Sequence, residues 1–461
     1  MLDRVLATIE SRKHQSLSSL KELLSIPSIS AKPEHKNDMV RCATWIADQL
    51  KYAGFETAIM ATGGHPCVVS KNKHEKNRPT ILFYGHYDVQ PPEPLDLWTS
   101  PAFEPKVRKD ENGYEAVYAR GAVDDKGQVW CHIEAMLAWQ AHGGLPVNIT
   151  LLIEGEEEVG SENLEAFIHT HREALKADVC VISDTGQFDR GVPAITYSLR
   201  GLVYEEVFLT GPSHDLHSGG YGGAVPNPAN ILCDVLASLH DKDGRVTVPE
   251  FYDDVQKLSD AERDMWAKLP HDDEASAAAL NLPFLNGEKG YSTLERLWAR
   301  PTLDINGLTA GYQGQGAKTV IGATASAKVS MRLVPAQDPF KIRDAFQQAI
   351  KDRLPKNVQV RFESHGCSPA ALVPIDNRAT KLAAEAVKAG FGKDPAFIRG
   401  GGSIPVVGTI KKELNIDTLL IGFGLPDDRV HSPNEKFDLD AFYSGQKTAA
   451  VLYDKLAKLH G

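Results

Sequence analysis

No Cys-x-x-Cys pair occurs in these 461 residues. The six cysteines, Cys42, Cys67, Cys131, Cys180, Cys233 and Cys367, are scattered, several within apolar runs. They read as buried, reduced thiols of a cytoplasmic protein. No apolar run approaches the roughly 18–20 residues that cross a bilayer. The start, Met1 to Glu10, lacks the continuous apolar stretch of a signal peptide and reads as an amphipathic helix. Long basic runs are also missing, and the net charge is −11. Nucleic acid and anionic membrane are therefore excluded as main partners. An anionic small substrate is not, because one arginine or metal can dominate the field in a pocket. There is no internal repeat and no low-complexity tract. What remains, 42% hydrophobic and 24% charged, is the composition of a soluble globular protein. The length suggests about two to three domains.

Residues 1–195 alternate helical and strand patterns. Leu2, Leu6 and Ile9, then Leu17, Leu20, Leu23 and Leu24, predict a helical N-terminus. Trp45, Ile46, Leu50 and Ala53 mark a further helix, stopped by Gly54. Another is expected at about 126–141. This alternation predicts an α/β sandwich whose mixed sheet is largely parallel. The texture changes near Ile195. Leu202 to Leu209 reads as a strand with an exposed acidic patch at Glu205 and Glu206. Ala325 to Val334 alternates like a strand with one exposed face, and Pro339 to Leu354 reads as a helix. Two helices on one face of an antiparallel sheet would make an inserted α+β domain over 196–369. The α/β texture then resumes over 370–461, so 1–195 and 370–461 form the two parts of one catalytic domain.

Five apolar, strand-like runs end in or lead into a potential metal ligand. Thr80 to Tyr84 precedes His86 and Asp88. Tyr114 to Tyr118 precedes a glycine loop with Asp124 and Asp125. Val147 to Ile153 precedes Glu156, Glu157 and Glu158. Val179 to Ser183 precedes Asp184, and Thr418 to Phe423 precedes a loop carrying His431. Open α/β sheets bind ligands beyond the carboxyl ends of their strands. Taken singly, the glutamate triplet reads as a solvated patch and Asp124-Asp125 as a helix cap; taken together they predict a metal site. His, Asp and Glu without cysteine suit zinc, manganese or cobalt. Two neighbouring ions need a bridging carboxylate, further ligands for each, and a free carboxylate to accept a proton from water. His86, Asp124, Glu157, Glu158, Asp184 and His431 supply these parts. If the strand continues past His86, Asp88 shares its face and could accept the other ring N–H of His86. His132, His169 and His171 are read as structural or surface residues.

Four segments carry a family resemblance: Gly85 to Pro91, Arg120 to Gly127, Glu154 to Ser161 and Val430 to Glu435. In this order they resemble the co-catalytic zinc peptidases, which include aminoacylase, carboxypeptidase G, succinyl-diaminopimelate desuccinylase and the carnosine dipeptidases. The likeness is nearest to the cytosolic non-specific dipeptidase branch and spans most of the chain. It implies that His86, Asp124 and Asp184 hold one metal and that Asp124, Glu158 and His431 hold the other, with Asp124 bridging. Glu157 is then the general base and later the proton donor to the leaving amine. Asp88 orients His86, and the Asp124–Asp125 peptide is cis. Asp184, where deacylases often carry glutamate, favours a peptidase.

Asp215 to Gly223 resembles the family's lid segment, whose histidine stabilises the oxyanion and in dimeric members reaches the other subunit's site. His217 matches it, and His214 falls outside the matching core. Arg332 resembles the arginine that binds the substrate carboxylate, and Thr319 and Ser403 occupy substrate-contacting positions. Gly400 departs from some relatives, which carry glutamate after the arginine, and it cannot offer that charge to a free substrate amine. The resemblance thus implies a homodimeric, cytoplasmic hydrolase, with two divalent ions per subunit. It would cleave dipeptides or very short peptides by metal-bound hydroxide. The rival readings are an N-acyl amino acid deacylase using the same site and, from another class, a non-catalytic binding protein on the same fold.

Overall fold

The computed structural model describes residues 1–402 and 404–460, so Ser403 lies outside the described residues. The chain divides into two compact units. One comprises 1–197, 373–398 and 409–461; the other comprises 198–372 and 399–408. Residues 399–408 thus group with the inserted segment and not with the returning α/β part.

In the first unit, seven strands lie side by side in the order Glu56–Met60, Cys67–Lys71, Asn148–Glu154, Thr80–His86, Val179–Ile182, Thr418–Leu420 and Ala194–Leu199. The neighbours from Asn148–Glu154 to Thr418–Leu420 are parallel. The strands flanking them pair antiparallel. Asn148–Glu154 is buried at every position, as expected of a strand covered on both faces. The Lys126–Gln140 helix is buried almost all round, which is why its apolar residues show no single stripe. It packs against Leu439–Leu456, one of the helices that close the core. Lys126 itself is fully buried, and its ammonium donates to the carbonyls of Ile26 at 2.7 Å and Leu23 at 3.4 Å, at the end of the Lys13–Leu24 helix. A cation suits the negative end of a helix dipole.

Two expectations need correction here. Glu115–Tyr118 does not join the main sheet; it forms a separate three-stranded sheet with Lys106–Lys109 and Lys436–Asp438. Its pairing with Lys436–Asp438 draws the Asp124 loop toward the end of the His431 loop, and short strands leave this choice of partner open at the level of sequence. The cysteines are free, but only Cys42, Cys67, Cys131 and Cys180 are buried; Cys233 is exposed and Cys367 half-buried.

The second unit contains an antiparallel four-stranded sheet in the order Thr302–Ala310, Thr324–Leu333, Gly201–Thr210 and Gln359–Ser368. Helices Pro228–Ala237 and Pro339–Arg353 bury Leu232, Leu236, Ile342, Phe346 and Ile350 against Val203, Val207 and Leu209. Glu205 shares the face of Val203 and Val207, and it is fully buried, contrary to the exposed patch predicted from the sequence. Strand alternation forces it inward, and Gln347 Nε2 on the covering helix donates to its Oε2 at 2.7 Å.

Candidate metal centre

Three strand ends and two loops deliver the predicted ligand set within the first unit. His86 is the last residue of its strand, and its side chain is wholly buried. Its Nε2 lies 3.2 Å from Asp124 Oδ1 and 3.9 Å from Asp184 Oδ2. On the other side, His431 Nε2 lies 2.9 Å from Asp124 Oδ2 and 3.1 Å from Glu158 Oε2. The two oxygens of Asp124 therefore face different histidines, as a bridging carboxylate requires. His86, Asp124 and Glu158 each offer a ligand atom within 4.8 Å of the others. Beside Asp124 and Asp184 opens a cavity of about 240 Å³, lined by Val123, Gly186, Gly424 and Val430 among others.

The backbone is shaped to hold this arrangement. The Asp124–Asp125 peptide is cis, and His431 has φ +60°. Gly127 is the second residue of the buried helix, where an added Cβ would lie 1.8 Å from the Ala122 carbonyl oxygen, so no side chain fits. Ser183, next to Asp184, donates to the Ile421 carbonyl at 2.6 Å and lies 2.7 Å from His132 Nε2. Burial pushes His132 down to about 3, so this histidine is a neutral structural group. His169, by contrast, sits on the surface against Glu413.

Asp88 does more than predicted. His86 Nδ1 hydrogen-bonds the Asp88 main-chain oxygen at 3.1 Å, with the carboxylate Oδ1 at 3.4 Å. The strand ends at His86, so strict alternation stops before residue 88. The Asp88 carboxylate also accepts the backbone N–H groups of Glu157 at 3.2 Å and Glu158 at 3.0 Å. It thereby fixes the turn that aims both glutamates, while the adjacent carbonyl fixes the His86 tautomer.

The electrostatics are those of crowded carboxylates. Burial would raise Asp124, but His431 and His86 outweigh it and hold the carboxyl below its ordinary range. Burial pushes Glu157 up to about 9; Asp184 and Glu158 add to this, and His86 opposes it. Burial and Asp124 push Asp184 up to about 7. The carboxylates of Asp124 and Glu158 push His431 up to about 10. His86 is raised well above its ordinary value, since Asp124 and Asp88 overcome the effect of burial. Even so, His86 Nε2 is a buried nitrogen with no properly formed hydrogen bond. An orphaned imidazole nitrogen among mutually repelling carboxylates fits divalent cations.

In the second unit, Leu216–His217 forms a short ribbon with Val320–Ile321, pairing His217 with Val320. Ser218 N donates to the Thr319 carbonyl at 3.2 Å, so His217 and Thr319 are brought together. His217 Nδ1 accepts from Gly219 N at 2.9 Å, which puts the ring proton on Nε2. Arg332 pairs in register with Leu202 and Thr302, and is half-buried. Burial lowers its pKa, against the pull of Asp304. Arg200 went unremarked in the sequence, yet burial and Arg332 push its pKa down to about 10. Its Nε donates to Gly401 O at 2.7 Å, and its backbone N to Gly402 O at 3.1 Å, which ties down the loop before Ser403. Only the fold brings Arg200 to that loop, since the two are about 200 residues apart in the chain.

The family model for peptidase family M20/M25/M40 matches residues 82–455. A Cys-Gly metallodipeptidase of Candida albicans is 34% identical over 96% of this chain and 94% of its own length. The Beta-Ala-His dipeptidase of Homo sapiens is 30% identical over 100% of this chain and 94% of its own. Among solved structures, the di-peptidase Dug1p from Saccharomyces cerevisiae superposes with a TM-score of 0.85 at 31% identity, over 99% of both chains. The chain therefore belongs to peptidase family M20/M25/M40 and is a metallopeptidase.

Proposed function

We propose that this chain is a dinuclear metal-dependent dipeptidase, with His86, Asp124 and Asp184 around one ion and Asp124, Glu158 and His431 around the other. The observation that carries the reading is the two-sided placement of Asp124, 3.2 Å from His86 on one oxygen and 2.9 Å from His431 on the other. The relatives named as dipeptidases support the substrate class. Zinc is the ion we assign first, with manganese or cobalt as alternatives. When bound, such ions supply Lewis acidity toward water and the scissile carbonyl.

The chain's own residues do the rest. Glu157 accepts the proton of the attacking water and later delivers it to the leaving amine. Its carboxylate accepts no hydrogen bond from the described residues, so it is available for this work. His217, with its proton on Nε2, donates to the developing oxyanion. Arg332 pairs with the substrate's free carboxylate, which limits substrates to short peptides. Thr319 and Ser403 contact the substrate, and Asp88 holds Glu157, Glu158 and His86 in place.

The enzyme assembles as a homodimer through the inserted segment 196–369. Exposed Ile305 and Leu308 on the sheet-edge strand Thr302–Ala310 support this. Sedimentation should give twice the 50.4 kDa chain mass; a lone 50.4 kDa species at micromolar concentration would refute it. Free thiols throughout suit a reducing, cytoplasmic setting.

The test of the central reading is hydrolysis of a dipeptide panel beside N-acetyl amino acids. Chelator-stripped protein should cleave neither, and zinc or manganese should restore dipeptide cleavage. Restored cleavage of the acyl substrates alone would make the chain a deacylase. Full activity after stripping would remove the metals from the mechanism.

A further inference from the structure

Glu435 is wholly buried, four residues beyond His431, and both its oxygens are fully used. Its Oε2 accepts from Arg120 Nη1 at 2.7 Å and from Gly121 N at 3.0 Å. Its Oε1 accepts from Val123 N at 3.0 Å and from Asp124 N at 3.2 Å. The Glu435 main-chain oxygen accepts a further bond from Ala119 N at 3.1 Å. The loop that presents Asp124 is thus folded around one side chain from the loop that presents His431. That second loop is itself secured, because Lys436 donates to Asp428 through its backbone at 3.0 Å and its ammonium at 2.8 Å. Three of the four side-chain bonds go to consecutive-loop N–H groups, so they set the backbone on which Asp124 stands and not merely the Arg120 charge balance.

We propose that Glu435 is a positioning residue for the metal centre, which locks the Asp124 and His431 loops into one rigid unit so that Asp124 can face both histidines at once. This rests on the dinuclear reading above. Hydrogen-bonded partners that orient ligands commonly change metal affinity by about 10- to 100-fold when removed. In Glu435→Gln the amide oxygen can serve one pair of donors, while the amide N–H₂ points donors at the other pair. The Asp124 loop then loses half of its clamp, and Asp124 no longer holds its place between the two sides.

The experiment is zinc titration of the full chain against a chromophoric chelator, at a temperature where each apoprotein is fully folded by thermal melt. The wild type is expected to bind tightly, and Glu435→Gln to show a dissociation constant raised by about 10- to 100-fold. Should Glu435→Gln not fold, Glu435→Asp takes its place under the same criterion. Its carboxylate keeps the charge beside Arg120 but is too short to span both pairs of donors. A lower apoprotein melting temperature with an unchanged zinc dissociation constant means a structural role alone and overturns the inference. A wild type that binds no zinc instead overturns the metal reading itself, so the two failures are distinguishable.

Discussion

Glu157→Gln is expected to retain its metals while kcat falls by about 10²–10⁴-fold, the usual contribution of a general acid–base group. The substitution keeps shape and removes only the proton acceptor. It should not unfold the protein, because the charged form of Glu157 is already disfavoured by burial and by Asp184 and Glu158, which push it up to about 9. The sign follows from linkage: a carboxyl raised from its ordinary value opposes folding of the metal-free protein increasingly as pH climbs through that window. A neutral glutamine escapes this, so the metal-free variant should melt no lower than wild type at neutral pH. Metal content, melting temperature and kcat measured on one preparation decide the matter. A kcat within about threefold of wild type, with metal bound, would rule Glu157 out as the base.

The second large effect is expected from Asp124→Asn. An amide offers one oxygen, and its N–H₂ cannot ligate a cation. The carboxylate faces His86 with one oxygen and His431 with the other. Losing either contact removes a ligand that both ions share. Metal bound after desalting should fall from two per chain to one or fewer, and kcat/KM should drop by more than about 10³-fold. Elemental analysis beside dipeptide kinetics reads both. Two ions retained at near wild-type activity would show that Asp124 bridges nothing. Local disruption is a smaller concern here than at Glu435, because the backbone N–H of Asp124 keeps its acceptor in the variant.

Much of the architecture was legible because its signals are local. Ile149 to Ile153, apolar but for Thr150, and Val179–Ile182, apolar throughout, are runs of the kind that mark strands covered on both faces. Pro339–Arg353 begins with an Asp338 cap accepting from Phe340 N at 2.8 Å, followed by proline in the first turn. Glu205 misled for a related reason. Its charge suggests exposure, whereas its place between Val203 and Val207 dictates burial, and periodicity outweighs residue type once a helix covers that face. The Glu115–Tyr118 strand misled because four residues carry no information on which partner they will pair with.

By itself, the sequence determined the kinds of ligand, their order along the chain and their positions just beyond apolar strands, since these depend only on residue identity and short-range periodicity. The tertiary structure alone decided that the Asp88 carboxylate holds the backbone of Glu157 and Glu158, that Arg200 ties down Gly401 and Gly402, and that Glu435 gathers the N–H groups of Gly121, Val123 and Asp124. Each of these is a hydrogen bond between residues about 70 to 310 positions apart. Hydrogen bonds of that kind leave no periodic trace in the chain; they exist only once the packed core has brought the loops within about 3 Å of one another.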